Sequence, residues 1–147
     1  MKRILFVCTG NTCRSPMAEA VLKSKIKWAG VKGVKVSSAG IYAQDGAKMN
    51  KNSRFALRQL GINAGSFKAR KITQEIYDKA DVIICMTESH KNSLGGGNKV
   101  FSVAEITGFG DIVDPYGGSK SDYIACSHEV ERACNIIMEK FVFPKNE

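Results

Sequence analysis

At 147 residues and 44% hydrophobic content, the chain suits one domain, residues 1–147, with a substantial core. Its apolar runs are too short for a membrane span or a signal-peptide core, so a cytoplasmic protein is expected. The net charge of +8 is scattered and comes with no recognition-helix motif, which reads as a solvated basic surface and argues against nucleic-acid or membrane partners.

Ile4-Leu5-Phe6-Val7 is an uninterrupted apolar run of strand length, and the polar stretch Cys8–Ser15 leads from it into a helix over 16–29. That helix places Ala18, Leu22, Ile26 and Ala29 on one stripe, widened by Met17, Val21 and Trp28, and ends at Gly30. Val34 to Ala39 alternates as a second strand ending at Gly40, so a parallel pairing of the two strands is expected. A helix over 50–60 stops at Gly61, a short one follows over 73–79, and 81–86 is a third strand buried on both faces. Residues 88–94 form a turn or two of helix before three glycines, and 99–103 is a fourth strand. Residues 104–121 read as a long glycine-rich loop, a place where function concentrates. The last helix starts at Ser121 or Asp122, buries Tyr123, Cys126, Val130, Ala133, Cys134, Ile137 and Phe141, and stops at Pro144. Strands alternating with helices give an α/β fold: a three-layer, doubly wound parallel sheet of four strands flanked by helices.

The chemistry gathers in Cys8–Ser15. A strand that runs through a tight polar loop into a helix N-terminus presents converging backbone N–H groups, a site for a phosphate-like anion. Gly10 and Asn11 tolerate the positive φ such a loop needs, and Ser15-Pro16 reads as an N-cap hydroxyl followed by a preset φ. The same environment that holds an anionic ligand suits a thiolate nucleophile at Cys8. Arg14 stands after five intervening residues, where its guanidinium can grip two phosphate oxygens while the sulfur faces phosphorus. The Cys-x5-Arg pattern alone is weak; the strand, the turn residues and the helix start around it supply its meaning. Cys85, Cys126 and Cys134 lie in a strand core and on an apolar helix face and read as buried hydrophobes. Five cysteines without a dense disulfide spacing fit a reducing compartment, and two histidines with no paired ligand spacing imply no metal and no cofactor.

Cys8-Thr9-Gly10-Asn11-Thr12-Cys13-Arg14-Ser15-Pro16 resembles the signature C-x-G-N-x-C-R-S-P of the low molecular weight protein tyrosine phosphatase family. Ser38-Ala39-Gly40, Ala69-Arg70, Cys85-Met86 and Asp114-Pro115-Tyr116 follow in the family's order, so the likeness spans nearly the whole chain. The resemblance implies strand order 2-1-3-4 and a ligand site at the carboxyl end of strand 1, the switch point of the sheet. It also implies hydrolysis of phosphorylated protein side chains, with inorganic phosphate as product. Cys8 would be the nucleophile and Arg14 the group binding the transferred phosphoryl oxygens, aided by backbone N–H groups of Thr9, Gly10, Asn11, Thr12, Cys13 and Ser15. Asp114 would supply the leaving-group proton, with Asp111 as the competing choice, and Tyr116 would line the pocket. The family often pairs cysteines placed like Cys8 and Cys13 as a reversible disulfide.

Two departures bear on substrate. Family members acting on phosphotyrosine commonly carry isoleucine where this chain has Thr12, whereas the bacterial protein arginine phosphatases carry threonine. Asp114-Pro115-Tyr116-Gly117-Gly118-Ser119 also looks like that branch, although it tends to have phenylalanine at position 116. A hydroxyl offers an acceptor to a guanidinium and removes apolar contact from a phenol ring, so phosphoarginine is slightly favoured over phosphotyrosine. A thioredoxin-coupled arsenate reductase would need further cysteines near the third strand, and Cys85 has no partner before Cys126. A non-catalytic phosphate-binding module would normally have lost Cys8, Arg14 or the acid. Oligomeric state is left open.

Overall fold

Strand β1 (Lys2–Cys8) lies between β2 (Val34–Gly40) and β3 (Val82–Cys85), with β4 (Val100–Ser102) outside β3. The computed structural model describes residues 1–143; Pro144, read above as a helix stop, lies outside them. Every strand pair is parallel, in the order 2-1-3-4. Cys8 pairs with Gly40, so both strand ends open on the same edge.

Parallel strands covered on both faces are apolar where they are buried: β1 is apolar and buried from Ile4 to Cys8, and β3 along its whole length. Ile4 and Phe6 enter the larger core under α1 (Arg14–Ala29), α2 (Lys51–Gln59) and α6 (Lys120–Ile137). Leu5 and Val7 enter a smaller one with Ile83 and Cys85, where Ile76 and Tyr77 of α3 (Gln74–Lys79) pack. Ile4, Phe6 and Ile83 are fully buried, each worth about 1.5–3 kcal/mol on transfer from water. Helices therefore cover both faces, the three-layer arrangement expected.

Differences from the sequence reading lie at element ends. The turn Lys27–Ala29 of α1 projects beyond the core, leaving Trp28 93% exposed and Ala29 in solvent rather than on the buried stripe. Gly30 closes the helix in the left-handed conformation, φ 71°. α4 (Glu88–Ser93) follows β3 as expected. Val103, read as the end of the fourth strand, and the first residues of the stretch read as one long loop form α5 (Val103–Thr107), started by a reciprocal capping box between Ser102 and Glu105. A second capping box, Ser119 with Asp122, starts α6 slightly earlier than expected. Its apolar stripe is buried from Tyr123 to Ile137, and the chain continues as a π-helical turn, Met138–Val142, in which Phe141 is half-buried.

Candidate active site

The polypeptide leaves β1 at Cys8 and must turn back on itself to begin α1 at Arg14. Asn11 makes that turn, with φ 57°, the one non-glycine residue of positive φ among the described residues. Gly10 does not share the left-handed conformation expected of it, and a Cβ there would meet only Thr12 Oγ1 at 3.7 Å. Asparagine tolerates the αL region because its side chain can bond locally, and here it is fully buried. Nδ2 donates to Ser15 Oγ at 2.8 Å and to Ser38 Oγ at 3.0 Å, while Oδ1 accepts from the Arg70 N–H at 2.9 Å.

Ser15 is not the helix cap. α1 begins at Arg14, its N-cap position is Cys13, and among the described residues no side chain caps it. The hydroxyl is drawn elsewhere: Ser15 Oγ lies 2.8 Å from Cys8 Sγ, and both residues are almost wholly buried. Ser38 donates its own proton to Glu19 Oε1 at 2.6 Å, and Asn11 donates to both serines. Ser15 Oγ, already an acceptor, therefore has its proton left for the Cys8 sulfur. The first-turn N–H groups of α1 remain without a side-chain cap, which suits a helix start that faces an anion.

The loop is clamped to the β2 side. Tyr42 N–H donates to Thr9 O at 2.9 Å, Ile41 N–H to Cys8 O at 3.0 Å, and Asn50 N–H to Thr12 O at 2.9 Å. Gly40 permits this approach: a Cβ on it would lie 2.6 Å from Thr9 O and 2.9 Å from Asn11 N.

Arg14 is 5% exposed and donates from Nη1 to Ile112 O at 3.0 Å. Its Nη2 lies 3.6 Å from Asp114 Oδ2, on a side chain that is half exposed. Asp114 Oδ1 accepts from the Tyr116 N–H at 3.0 Å, an Asx turn. Asp111, the competing acid, is engaged differently: Oδ1 accepts from the Glu88 N–H at 3.1 Å, at the start of α4. Tyr116 is 77% exposed and lines a groove of about 510 Å³ between its loop and α6.

Thr12 is half-buried, with its Oγ1 3.9 Å from Cys13 Sγ. Cys13 is buried and lies 3.7 Å from the Tyr123 hydroxyl; burial pushes its thiol up, against smaller opposing hydrogen bonds from Tyr123 and Thr12. Burial likewise pushes the thiols of Cys85, Cys126 and Cys134 up to about 12, so all three are inert hydrophobes, as read from sequence. Among the described residues no cluster of three or more His, Cys, Asp or Glu side chains is placed to hold a metal ion.

Residues 3–143 match the model of the low molecular weight phosphotyrosine protein phosphatase family. The chain belongs to that family. A protein-arginine-phosphatase of Geobacillus stearothermophilus is 37% identical, the match covering 94% of this chain and 95% of that protein. A low molecular weight phosphotyrosine protein phosphatase of Sus scrofa is 38% identical, with 95% of each chain covered. The solved structure of a YwlE arginine phosphatase variant, a cysteine-to-serine mutant with a phosphorylated active-site serine, superimposes with a TM-score of 0.86. That match has 35% identity and covers 97% of this chain and 99% of the other. This phosphatase is thus a cysteine-dependent hydrolase, and neither the arsenate-reductase nor the binding-module reading is favoured.

Sequence reasoning left several parts of the site without a role. Ser38 and Gly40 were read as strand and motif residues, Arg70 as part of a matched motif and Glu19 as part of a helix. His90 was noted only as a histidine without a metal partner; its Nε2 lies 2.8 Å from Thr9 Oγ1, across 81 residues of sequence. No local spacing signals a contact of that kind.

Proposed function

We propose that this phosphatase removes phosphate from phosphoarginine side chains in preference to phosphotyrosine, through a cysteinyl-phosphate on Cys8. Cys8 Sγ attacks phosphorus, an S–P bond forms, and the P–N bond to the guanidine breaks as Asp114 gives its carboxylic proton to the departing nitrogen. Arg14 and the backbone N–H groups of residues 9–15 hold the three equatorial oxygens, and Ser15 keeps its hydroxyl on the sulfur. Water then attacks phosphorus and passes a proton to the Asp114 carboxylate; the P–S bond breaks, inorganic phosphate leaves and the Cys8 thiolate returns. With an aryl ester the broken bond is P–O and the same residues act. Residues 1–147 work as one domain.

Thr12 carries the substrate preference. Its side chain is half-buried on the phosphate loop, and among the described residues its hydroxyl has one polar neighbour, the Cys13 sulfur at 3.9 Å. That weak contact leaves the hydroxyl free to accept from a guanidinium N–H, whereas an apolar residue there would suit a phenol ring. The protein-arginine-phosphatases of Geobacillus stearothermophilus and Bacillus subtilis, 37% and 40% identical, support the reading. A cytoplasmic site of action accords with five unpaired cysteines and with the lack, among the described residues, of a helix long and apolar enough to cross a membrane.

Phosphate release from phosphoarginine and phosphotyrosine peptides, measured in parallel under reducing conditions, tests both halves. Wild type should turn over phosphoarginine faster, Cys8→Ser should turn over neither, and Thr12→Ile should reverse the preference by about tenfold, the size of one lost hydrogen bond to a charged group. A rise in phosphoarginine turnover in Thr12→Ile would overturn the assignment of Thr12.

A further inference from the structure

We propose that His90 is a positioning residue of the phosphate loop, its ring bridging Thr87 and Thr9 so as to fix the first residue after Cys8 from the β3 side. The proposal rests on the reading of residues 8–15 as the phosphate site. His90 is 6% exposed, and each ring nitrogen has a hydroxyl partner: Nδ1 lies 3.0 Å from Thr87 Oγ1 and Nε2 lies 2.8 Å from Thr9 Oγ1. A neutral imidazole has one donor and one acceptor, and a threonine hydroxyl can take either role, so this pairing satisfies the ring completely.

The ring is also fixed in place. Thr87 is the N-cap of α4, and its Oγ1 accepts from the backbone N–H of His90 itself at 3.1 Å. The imidazole is thereby tied to the first turn of its own helix, directly after β3, and carries the position of that turn to Thr9. The other clamps on Thr9–Thr12 come from the β2 side and the segments after it, through Tyr42, Asn50 and Arg70. Thr9 is itself exposed, so without His90 its side chain would be held by nothing from the β3 flank among the described residues.

Three charged groups bear on the ring: Arg14 from α1, and Asp111 and Asp114 from the loop after α5. Burial first and Arg14 second lower the imidazole from its ordinary value to about 4, against the two carboxylates. The ring is uncharged at neutral pH and does not compete with Arg14 for the charge of a phosphoryl group. It acts through Thr9, not on the substrate.

The test is a double-mutant cycle with p-nitrophenyl phosphate as substrate and orthovanadate as a competitive oxyanion. His90→Ala and Thr9→Val should each lower kcat/KM by about 10- to 100-fold, the effect of sub-ångström to 1 Å misplacement. The double mutant should lose no more than either single one, since both cut one link. Vanadate inhibition should weaken in step, and His90→Gln, which keeps a donor and an acceptor, should recover most of the loss. Should His90→Ala fail to fold, His90→Gln and Thr9→Val still test whether the link matters. Multiplicative losses in the double mutant, or kcat/KM within twofold of wild type in His90→Ala, would overturn the proposal. A wild-type enzyme that releases no phosphate, or a Cys8→Ser variant that does, would instead overturn the site reading beneath it.

Discussion

The phosphate loop, residues 8–15, and the acid loop, residues 108–118, meet where Arg14 faces Asp114, and they are held in unlike ways. In the first, Cys8, Asn11, Arg14 and Ser15 are 5% exposed or less, and hydrogen bonds tie it to the Ser38 hydroxyl, the Arg70 backbone N–H and the His90 ring. In the second, the half nearest β3 is tied down by Ile112 N–H on Met86 O at 3.0 Å and by Asp111 on α4. Beyond it Val113 is 72% and Tyr116 77% exposed, and among the described residues the ion pair of Asp114 is the one with Arg14. Groups that hold transition-state charge gain from being fixed before reaction, whereas a group that delivers a proton must approach, withdraw and reprotonate. The difference in anchoring follows that division of labour.

Asp114→Asn gives the comparison its severest trial. Removing a general acid costs about 10²- to 10⁴-fold in kcat. Because Asp114 is half exposed and its ion pair with Arg14 is partly solvated, unfolding by urea should be unchanged within about 0.5 kcal/mol. Loss of activity together with stability would mean that the acid loop is as structural as the phosphate loop.

Gly40→Ala probes the other loop and should strike both quantities. The added Cβ would fall 2.6 Å from Thr9 O, a backbone atom that cannot move without carrying the phosphate loop with it. Overpacking of this kind costs about 1–3 kcal/mol of stability, and kcat/KM should fall by about tenfold as the N–H groups lose alignment. Urea midpoints and phosphate-release kinetics on one preparation check both. A variant with full activity would show that the β2-side clamp is not needed.

How far the two loops were legible in the sequence follows from the same physics. The phosphate loop is local: strand, turn and helix start lie within a short span, so Cys8, Asn11 and Arg14 could be read from spacing and residue type, and the parallel sheet from the alternation of strands and helices. Ser15 was legible as a residue of the site but not in its role, because whether a hydroxyl caps a helix or turns to a sulfur depends on Asn11, Ser38 and Glu19 together. α5 was hidden inside glycine-rich sequence although Ser102-Val103-Ala104-Glu105 carries the capping-box pattern. Trp28 was misplaced because helical periodicity shows which face a residue lies on, not where the core ends. His90 and Gly40 were out of reach, since each matters through a contact with Thr9 that only the folded sheet creates.

The smallest expected effect comes from that same histidine and separates it from the acid loop's carboxylates. In the unfolded chain His90 takes up a proton near its ordinary value of about 6.5, whereas in the folded protein burial and Arg14 hold it neutral down to about 4. Between these values the unfolded state binds more protons, so stability rises with pH through the window. The contribution is fully present above about pH 6.5 and is lost as pH falls to about 4, at most about 3 kcal/mol over the whole range. Carboxylates titrate in the same region, so the quantity to measure is the difference between wild type and His90→Gln in urea-unfolding free energy at several pH values. Wild type minus variant should be constant above about pH 6.5 and fall as the pH drops from there to about 4. If it stays constant, the histidine does not enter the fold uncharged, and the reason for placing a neutral ring beside Arg14 disappears with it.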